Sequence, residues 1–240
     1  MSNGPLRLSD CEQYQLGESF HPGLAMRIAD RGAVITSRLD AVVGICSGST
    51  VIHVGCVDHL PLLKQKRDAG TWLHGRLDDA CKRCVGIDIN APGIAALRAM
   101  GYDDVYELDI QTGDPAFLFN TDWDYVVLGE MIEHLDDPTA FLAAVHKKFR
   151  TNVKYLVLTT PNAFYLNNFR NATQNVELVN TDHRIWFTPF TLAKAISRAG
   201  FHSVQLGYAH GANRPKSAIK RWVFRAFPAV SMNLIAVAKF

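Results

Sequence analysis

Two carboxylates and an imidazole stand together at Glu130, Glu133 and His134, directly after the apolar run Tyr125-Val126-Val127-Leu128. Desolvating ionisable groups beside a buried strand is costly, so packing alone is a poor reason to place three of them there. An imidazole titrates near neutral pH and is suited to taking a proton from a hydroxyl. His134 is therefore the first candidate for a general base, with Glu130 about one helical turn away completing the catalytic set. His183, in Asn180-Thr181-Asp182-His183-Arg184, is the second candidate base, because a polar loop before a helix makes a natural site wall. Asp58, His59 and His74 are further wall candidates, and Tyr165, Asn167 and Asn168 suit a hydroxyl-rich ligand.

Such groups need strands to hold them. Val51-Ile52-His53-Val54-Gly55 reads as a first strand, Val85 to Ile89 as a second, Val105 to Leu108 as a third. Tyr125 to Leu128 and Tyr155 to Thr159 follow, and Val204 to Tyr208 and Leu234 to Lys239 are the last two. Helical segments cover Leu73 to Arg83 with Thr71 as cap, Pro92 to Met100, Pro138 to Phe149, and Pro189 to Ala199 between Thr188 and Gly200. This alternation predicts an α/β fold, a seven-stranded Rossmann-like, mostly parallel sheet with helices on both faces. The last strand is expected to insert antiparallel. Residues 1–50 show no strand. Leu24 to Ile45 has apolar residues at helical spacing (Ile28, Ile35, Leu39, Val42, Val43), so 1–50 reads as a helical segment before a domain of 51–240, one domain overall.

The chain of 240 residues is 48% hydrophobic and 20% charged, as in water-soluble globular proteins. A net charge of +2 gives no electrostatic footprint for nucleic acid. No apolar run approaches the ~20 residues of a membrane span, and the first residues lack a signal peptide's apolar segment. The five cysteines, Cys11, Cys46, Cys56, Cys81 and Cys84, form no disulfide framework, and one C-x-x-C without a second pair is a poor zinc site. A cytoplasmic protein is expected. Between Arg214 and Phe227, the cations Arg214, Lys216, Lys220, Arg221 and Arg225 interleave with Ile219, Trp222, Val223, Phe224 and Phe227. A basic amphipathic helix of this kind can dock a lipid-linked substrate or lie peripherally on a membrane face. The plainer expectation is that its aromatic side packs on the sheet.

The strand ends carry a coherent set. Gly55 and Cys56 close the first strand, where glycine lets a ligand approach the backbone. Asp88, with Ile89 beside it, closes the second, where a carboxylate can accept from both ribose hydroxyls. Asp109 and Ile110 follow the third and suit an adenine, and Gly129 ends the fourth. Together they point to an adenosine-containing cofactor.

In this order the motifs resemble those of class I S-adenosylmethionine-dependent methyltransferases, over about residues 50 to 240. The likeness extends to a branch found among glycan-decorating enzymes, through Val51 to His59, Gly129 to Leu135, Thr159 to Asn162 and Asp182 to Phe187. The resemblance assigns Gly55 and Cys56 to the methionine part, Asp88 to the ribose, Asp109 and Ile110 to the adenine, and Gly129 to the floor. It implies in-line methyl transfer to a hydroxyl of a sugar, glycan or small polar acceptor, lipid-linked ones included, with S-adenosylhomocysteine as product. The chain departs from the family in reading Gly55-Cys56-Val57-Asp58-His59 where G-x-G-x-G is usual. Gly55 to Asp88 also spans 33 residues, against ~20 in nucleotide-binding units. The excess, Asp58 to Gly70, is expected to be a charged loop over the cofactor, with the helix N-terminus near Thr71 to His74 facing its carboxylate. The string E-x-x-E-H with a later histidine also resembles the metal set of small-RNA terminal 2′-O-methyltransferases. Residues i, i+3 and i+4 share a helix face and can converge on a divalent ion. The same string is common in methyltransferases without metal, so no metal is expected, nor RNA as substrate. An N- or C-methyltransferase, and a non-catalytic partner subunit of the same fold, are the alternatives; a nicotinamide dehydrogenase ranks last.

Overall fold

The computed structural model describes residues 5–32, 36–211 and 217–240. Seven strands form the central sheet: β1 (Thr50–Val54), β2 (Arg83–Asp88), β3 (Val105–Glu107), β4 (Trp123–Gly129), β5 (Val153–Pro161), β6 (His202–Ala209) and β7 (Asn233–Lys239). Their order is β3-β2-β1-β4-β5-β7-β6. The first five are parallel. β7 runs antiparallel between β5 and β6, as its position at the end of the chain leads one to expect. Chain order reverses between β1 and β4, so their carboxyl ends open the crevice in which such sheets bind ligands.

Among the described residues the helices are α1 (Glu12–Leu16), α2 (Arg38–Cys46), α3 (Leu60–Asp68), α4 (Leu73–Ala80), α5 (Ala91–Ala99), α6 (Pro138–Phe149), α7 (Leu166–Ala172), α8 (Pro189–Arg198) and α9 (Ala218–Ala226). Strand side chains alternate between faces, and the core divides accordingly. Ile52, Val126, Leu128, Leu156 and Leu158 pack with Phe141, Val145 and Ile196 of α6 and α8. Val51, Val127 and Val157 turn the other way, onto Leu39 and Val42 of α2 and Leu77 of α4. No helix among the described residues is long and apolar enough to cross a membrane.

Several expectations are corrected. Residues 1–50 include a two-residue parallel ladder, Leu6–Arg7 with Met26–Arg27, and between that ladder and α2 Ile35 lies outside the described residues. Asp58 to Gly70 is no loop. It holds α3, with Pro61 in the first turn and Leu63 buried, and its charged residues are the helix's solvated face. Thr71 does not cap α4; its hydroxyl donates to the Lys66 carbonyl, and Trp72 stands at the cap. α4 stops at Ala80, three residues before β2 begins at Arg83. The basic helix begins at Ala218, leaving Arg214 and Lys216 outside the described residues. Its aromatic side does not pack as expected: Phe224 is buried, but Trp222 and Ile219 are exposed.

Candidate functional site

The carboxyl ends of β1, β2 and β4 meet in the crevice. Gly55 has φ +77°, a conformation that strains any side-chain-bearing residue, and a Cβ there would come 2.8 Å from Sδ of Met131 and push that side chain aside. At Gly129 a Cβ would fall 2.5 Å from Leu73 Cδ2. The Asp88 carboxylate accepts from the Val57 and Asn90 amides, each at 2.9 Å. It thereby ties the loop after β1 to the end of β2. Burial pushes its pKa up, and the amide donors pull it back. Each oxygen retains accepting capacity for a further donor. Ile89 is 73% exposed. Cys56 is buried, its carbonyl taken by the Trp72 indole at 3.1 Å, and burial raises its thiol pKa.

Asp109 stands at the surface, closed on its own turn by the Gln111 amide at 2.8 Å and the Thr112 hydroxyl at 2.7 Å. The Thr112 hydroxyl and the backbone amides hold its pKa below the ordinary carboxylate value. Ile110 is buried in the core. The wall candidates after β5 satisfy one another, with the Asn167 amide on the Tyr165 hydroxyl and Asn168 on the Ala163 carbonyl. Asp58 pairs with Lys66 at 2.6 Å.

Past Gly129 the chain turns sharply. Glu130 has φ +54°, a conformation costing a non-glycine residue roughly 1–2 kcal/mol. Its amide donates to the Thr159 carbonyl at 3.0 Å, which holds the turn. Residues Ile132–His134 then form a single 3₁₀ turn. Glu130, Glu133 and His134 therefore do not share an α-helical face. Glu130 points to Asn233, whose side-chain amide donates to both carboxylate oxygens at 3.0 and 3.1 Å. Burial raises the Glu130 pKa, opposed first by Arg38.

Glu133 and His134 instead meet His183, with one ligand atom from each lying within 4.8 Å of the others. The Arg184 amide donates to the Glu133 carbonyl at 2.8 Å and brings the loop down onto the turn. The rings of His134 and His183 meet edge to face at 4.7 Å. His134 Nδ1 lies 3.1 Å from the Asp182 carbonyl, which can only accept. The assigned tautomer thus carries its proton on Nδ1 and leaves Nε2 with a lone pair. Burial lowers the His183 pKa. Glu133 is 0% exposed. The Thr160 hydroxyl donates to its Oε2 at 3.0 Å, while Oε1 has no partner among the described residues, nor has His183 Nδ1. Burial, then the charge of Glu130, pushes the Glu133 pKa up to about 8.

Three participants escaped the sequence reading. Arg38, in the first turn of α2, is 15% exposed in its side chain and lies 3.9 Å from Glu130. Its Nη1 is 3.8 Å from where a Gly129 Cβ would stand. His53 of β1 faces the buried His74, with the two Nδ1 atoms 3.2 Å apart, so only one can carry a proton between them. Burial lowers the His53 pKa and takes His74 down to about 4. His74 is thus a buried neutral partner, not a wall residue. Asn233 is the third. The motif Thr159-Thr160-Pro161-Asn162 was the one sequence signal for the supporting hydroxyls. Arg38 and Asn233 lie far from Glu130 in sequence and left none.

A family model described as a methyltransferase domain matches residues 33–206. No curated protein matches the chain in sequence. Among solved structures, the small RNA methyltransferase HEN1 is similar at TM-score 0.58 and 19% identity, over 84% of this chain. This chain spans about a quarter of that protein, 24% of its length. A Thermotoga maritima SAM-dependent methyltransferase, a possible histamine N-methyltransferase, is similar at TM-score 0.56 and 14% identity, over 85% of this chain and 87% of that one. Magnesium protoporphyrin IX methyltransferase from Synechocystis, solved with bound SAH, gives TM-score 0.52 and 16% identity, over 84% and 81%. These likenesses establish the fold, that of SAM-dependent methyltransferases.

Proposed function

The chain belongs to the methyltransferase-domain family, and from that premise we propose an S-adenosylmethionine-dependent O-methyltransferase acting on a hydroxyl of a sugar, glycan or other small polar acceptor, with His134 as general base. The observation that carries the base is the anchoring of His134 Nδ1 on the Asp182 carbonyl, which leaves Nε2 as a fixed acceptor at the mouth of β4.

The donor supplies a methyl group on a sulfonium, ready for in-line displacement. The residues present fit it. Gly55 and Gly129 let the strand-end backbone run close beneath Met131 and Leu73, where a Cβ would clash. Asp88, fixed by two amides, keeps lone pairs for ribose hydroxyls, and exposed Ile89 offers an apolar surface to adenine. Asp109 and Ile110 are weaker supports, since one is engaged in its own turn and the other is buried. The half-buried cation Arg38, at Gly129, suits the methionine carboxylate better than the N-terminus of α4, whose first residues are buried. Holding donor and acceptor in line lowers the entropic part of the barrier. His134 removes the acceptor's proton as the new bond forms, and His183 shapes the wall around it, while Glu130 stands apart on Arg38 and Asn233. The acceptor class rests on the sequence resemblance and on the polar loop that carries His183.

A second reading is favoured by the two orphan atoms, Glu133 Oε1 and His183 Nδ1. With His134 Nε2 they could hold a divalent cation, and a ligating histidine whose other nitrogen meets a backbone carbonyl is the usual arrangement. Such an ion would lower the pKa of a bound hydroxyl.

The test is calorimetric titration with S-adenosylmethionine against NAD, then transfer from labelled donor to sugar nucleotides and glycans, with and without chelator. Binding of S-adenosylmethionine alone, with transfer that survives the chelator and falls about 100-fold in His134→Ala, is expected. Unaltered turnover in that variant removes His134 as base. Activity lost to the chelator and restored by a divalent ion selects the metal reading. Transfer to amines or carbon acids alone would point to an N- or C-methyltransferase. Absence of binding would move a non-catalytic subunit of the same fold to the front.

A further inference from the structure

The net charge of +2 conceals a division of the chain. No Asp or Glu follows Asp182, while residues 183–240 contain nine of the 25 Lys and Arg. The first 182 residues thus carry 16 cations against 23 anions, a net −7, and the remainder carries +9.

Five of these nine cations, Arg214, Lys216, Lys220, Arg221 and Arg225, fall in the sequence between β6 and β7, and α9, the described helix there, lies on one rim of the site. β6 ends at Ala209, opposite Asn233 at the start of β7, and Asn233 lies across from Pro161 at the end of β5. Residues 217–232, which hold α9, therefore stand on the carboxyl edge of the sheet, with Asn233 beside Glu130. Buried Asn162 fixes them there: its side-chain amide donates to the Ala229 and Ser231 carbonyls, both at 2.8 Å.

On that rim α9 presents its apolar side outward. Phe224 anchors the helix to the body, its ring 5.0 Å from that of His210. At 3.6 residues per turn, Ile219 and Trp222 lie on the far side, 75% and 66% exposed. Arg225 flanks this stripe. Lys220 and Arg221 lie on the side of Phe224, and the exposed Lys220 has a stem long enough to reach round to the level of lipid headgroups. Exposed Phe227 and Met232 extend the apolar surface towards β7.

We propose that this rim docks on an anionic bilayer surface, with Ile219 and Trp222 entering the headgroup boundary and the surrounding Lys and Arg facing lipid phosphates. An exposed apolar stripe bordered by cations is what an interfacial helix requires. A second copy is a poorer occupant, because the cations of α9 would face their own copies, although Asp30 stands beside the end of the helix, where Gly32 donates to the Arg225 carbonyl. A nucleic acid would use the cations but leave the aliphatic stripe in water. The proposal is independent of the acceptor and of the base.

The experiment is co-sedimentation of the full chain with vesicles of phosphatidylcholine alone and with added phosphatidylglycerol, at two salt concentrations. Wild type is expected to sediment with the anionic vesicles only, less at high salt. Lys220→Gln and Arg225→Gln should each weaken partition about fivefold, and Ile219→Glu with Trp222→Glu should abolish it. All these positions are exposed, and retained S-adenosylmethionine affinity in each variant separates loss of docking from loss of fold or site. Equal partition on both vesicle types, no partition, or variants that partition like wild type would overturn the proposal. So would single-stranded RNA retained through the same residues in place of vesicles, or a dimer that Trp222→Glu dissociates.

Discussion

Glu133→Gln tests the electrostatics of the site directly. Glu133 is wholly buried, with one oxygen on Thr160 and the other unpartnered, and its pKa is pushed up to about 8 by burial and by Glu130. Below the ordinary carboxylate range, folded and unfolded chains both hold its proton. Between that range and about 8, only the folded chain does. Stability contributed by this group is therefore full at low pH and drains as pH rises, by about 1.4 kcal/mol per unit. Above the folded pKa both forms are ionised and the slope ends. Glutamine is a neutral isostere and keeps an acceptor for Thr160, so the variant lacks this slope. Urea unfolding with chelator present, at about pH 5.5 and about pH 7.5, should show wild type losing roughly 2–3 kcal/mol more than Glu133→Gln. The difference between the two proteins cancels the groups that do not sense Glu133, and Glu130, which does, titrates with it as a pair. Parallel pH dependence would refute the raised pKa and the buried, protonated state argued for Glu133. If a divalent ion is held there, adding it should abolish the wild-type slope while leaving the variant unchanged.

Asp88→Ala should weaken S-adenosylmethionine binding at least about tenfold by calorimetry, since a charged acceptor on two ribose hydroxyls is lost; unchanged affinity would undo the ribose assignment. Arg38→Met should weaken S-adenosylmethionine similarly but leave adenosine binding alone, and equal effects on both ligands would place Arg38 outside the methionine subsite. Asn162→Ala removes donors to the buried Ser231 carbonyl and the part-buried Ala229 carbonyl and should cost about 1–3 kcal/mol in urea unfolding; a loss under about 0.5 kcal/mol would mean the rim is held by other contacts.

How much of this was legible in the sequence depends on the range of the interaction. Strands and helices were readable because period and capping act within a few residues: Pro138–Phe149 is found with both expected ends, and Thr188 caps α8 as read. The strand-end residues were readable because a parallel sheet converts chain order into neighbourhood at its carboxyl edge. α3 was misread because charged residues on one helical face look like a loop when Leu63 is the only buried anchor. The face shared by Glu130, Glu133 and His134 failed for a local reason. A left-handed Glu130 and a 3₁₀ turn replace the expected helix, so Glu130 turns towards Arg38 and Asn233 while the other two turn towards His183.

That split has a chemical consequence. Had the three groups shared one face, both carboxylates would crowd the histidine and compete for one proton or one ion. The strained turn separates them into two stations. At one, Glu130 is partnered by a cation and an amide from opposite ends of the chain, next to the glycines of the crevice. At the other, Glu133 is kept from water beside two histidines, one of them anchored with its lone pair outward. At the first station burial still raises the Glu130 pKa, and Arg38 and Asn233 limit the rise. The second stays protonated until a cation or a rise in pH removes its proton. The roughly 1–2 kcal/mol stored at Glu130 is thus the cost of keeping two carboxyl groups apart, one beside Arg38 and Asn233 and the other beside His134, and relaxing that turn should merge them. The positive φ at a non-glycine residue, in a position where glycine would be easier, is best explained by that separation.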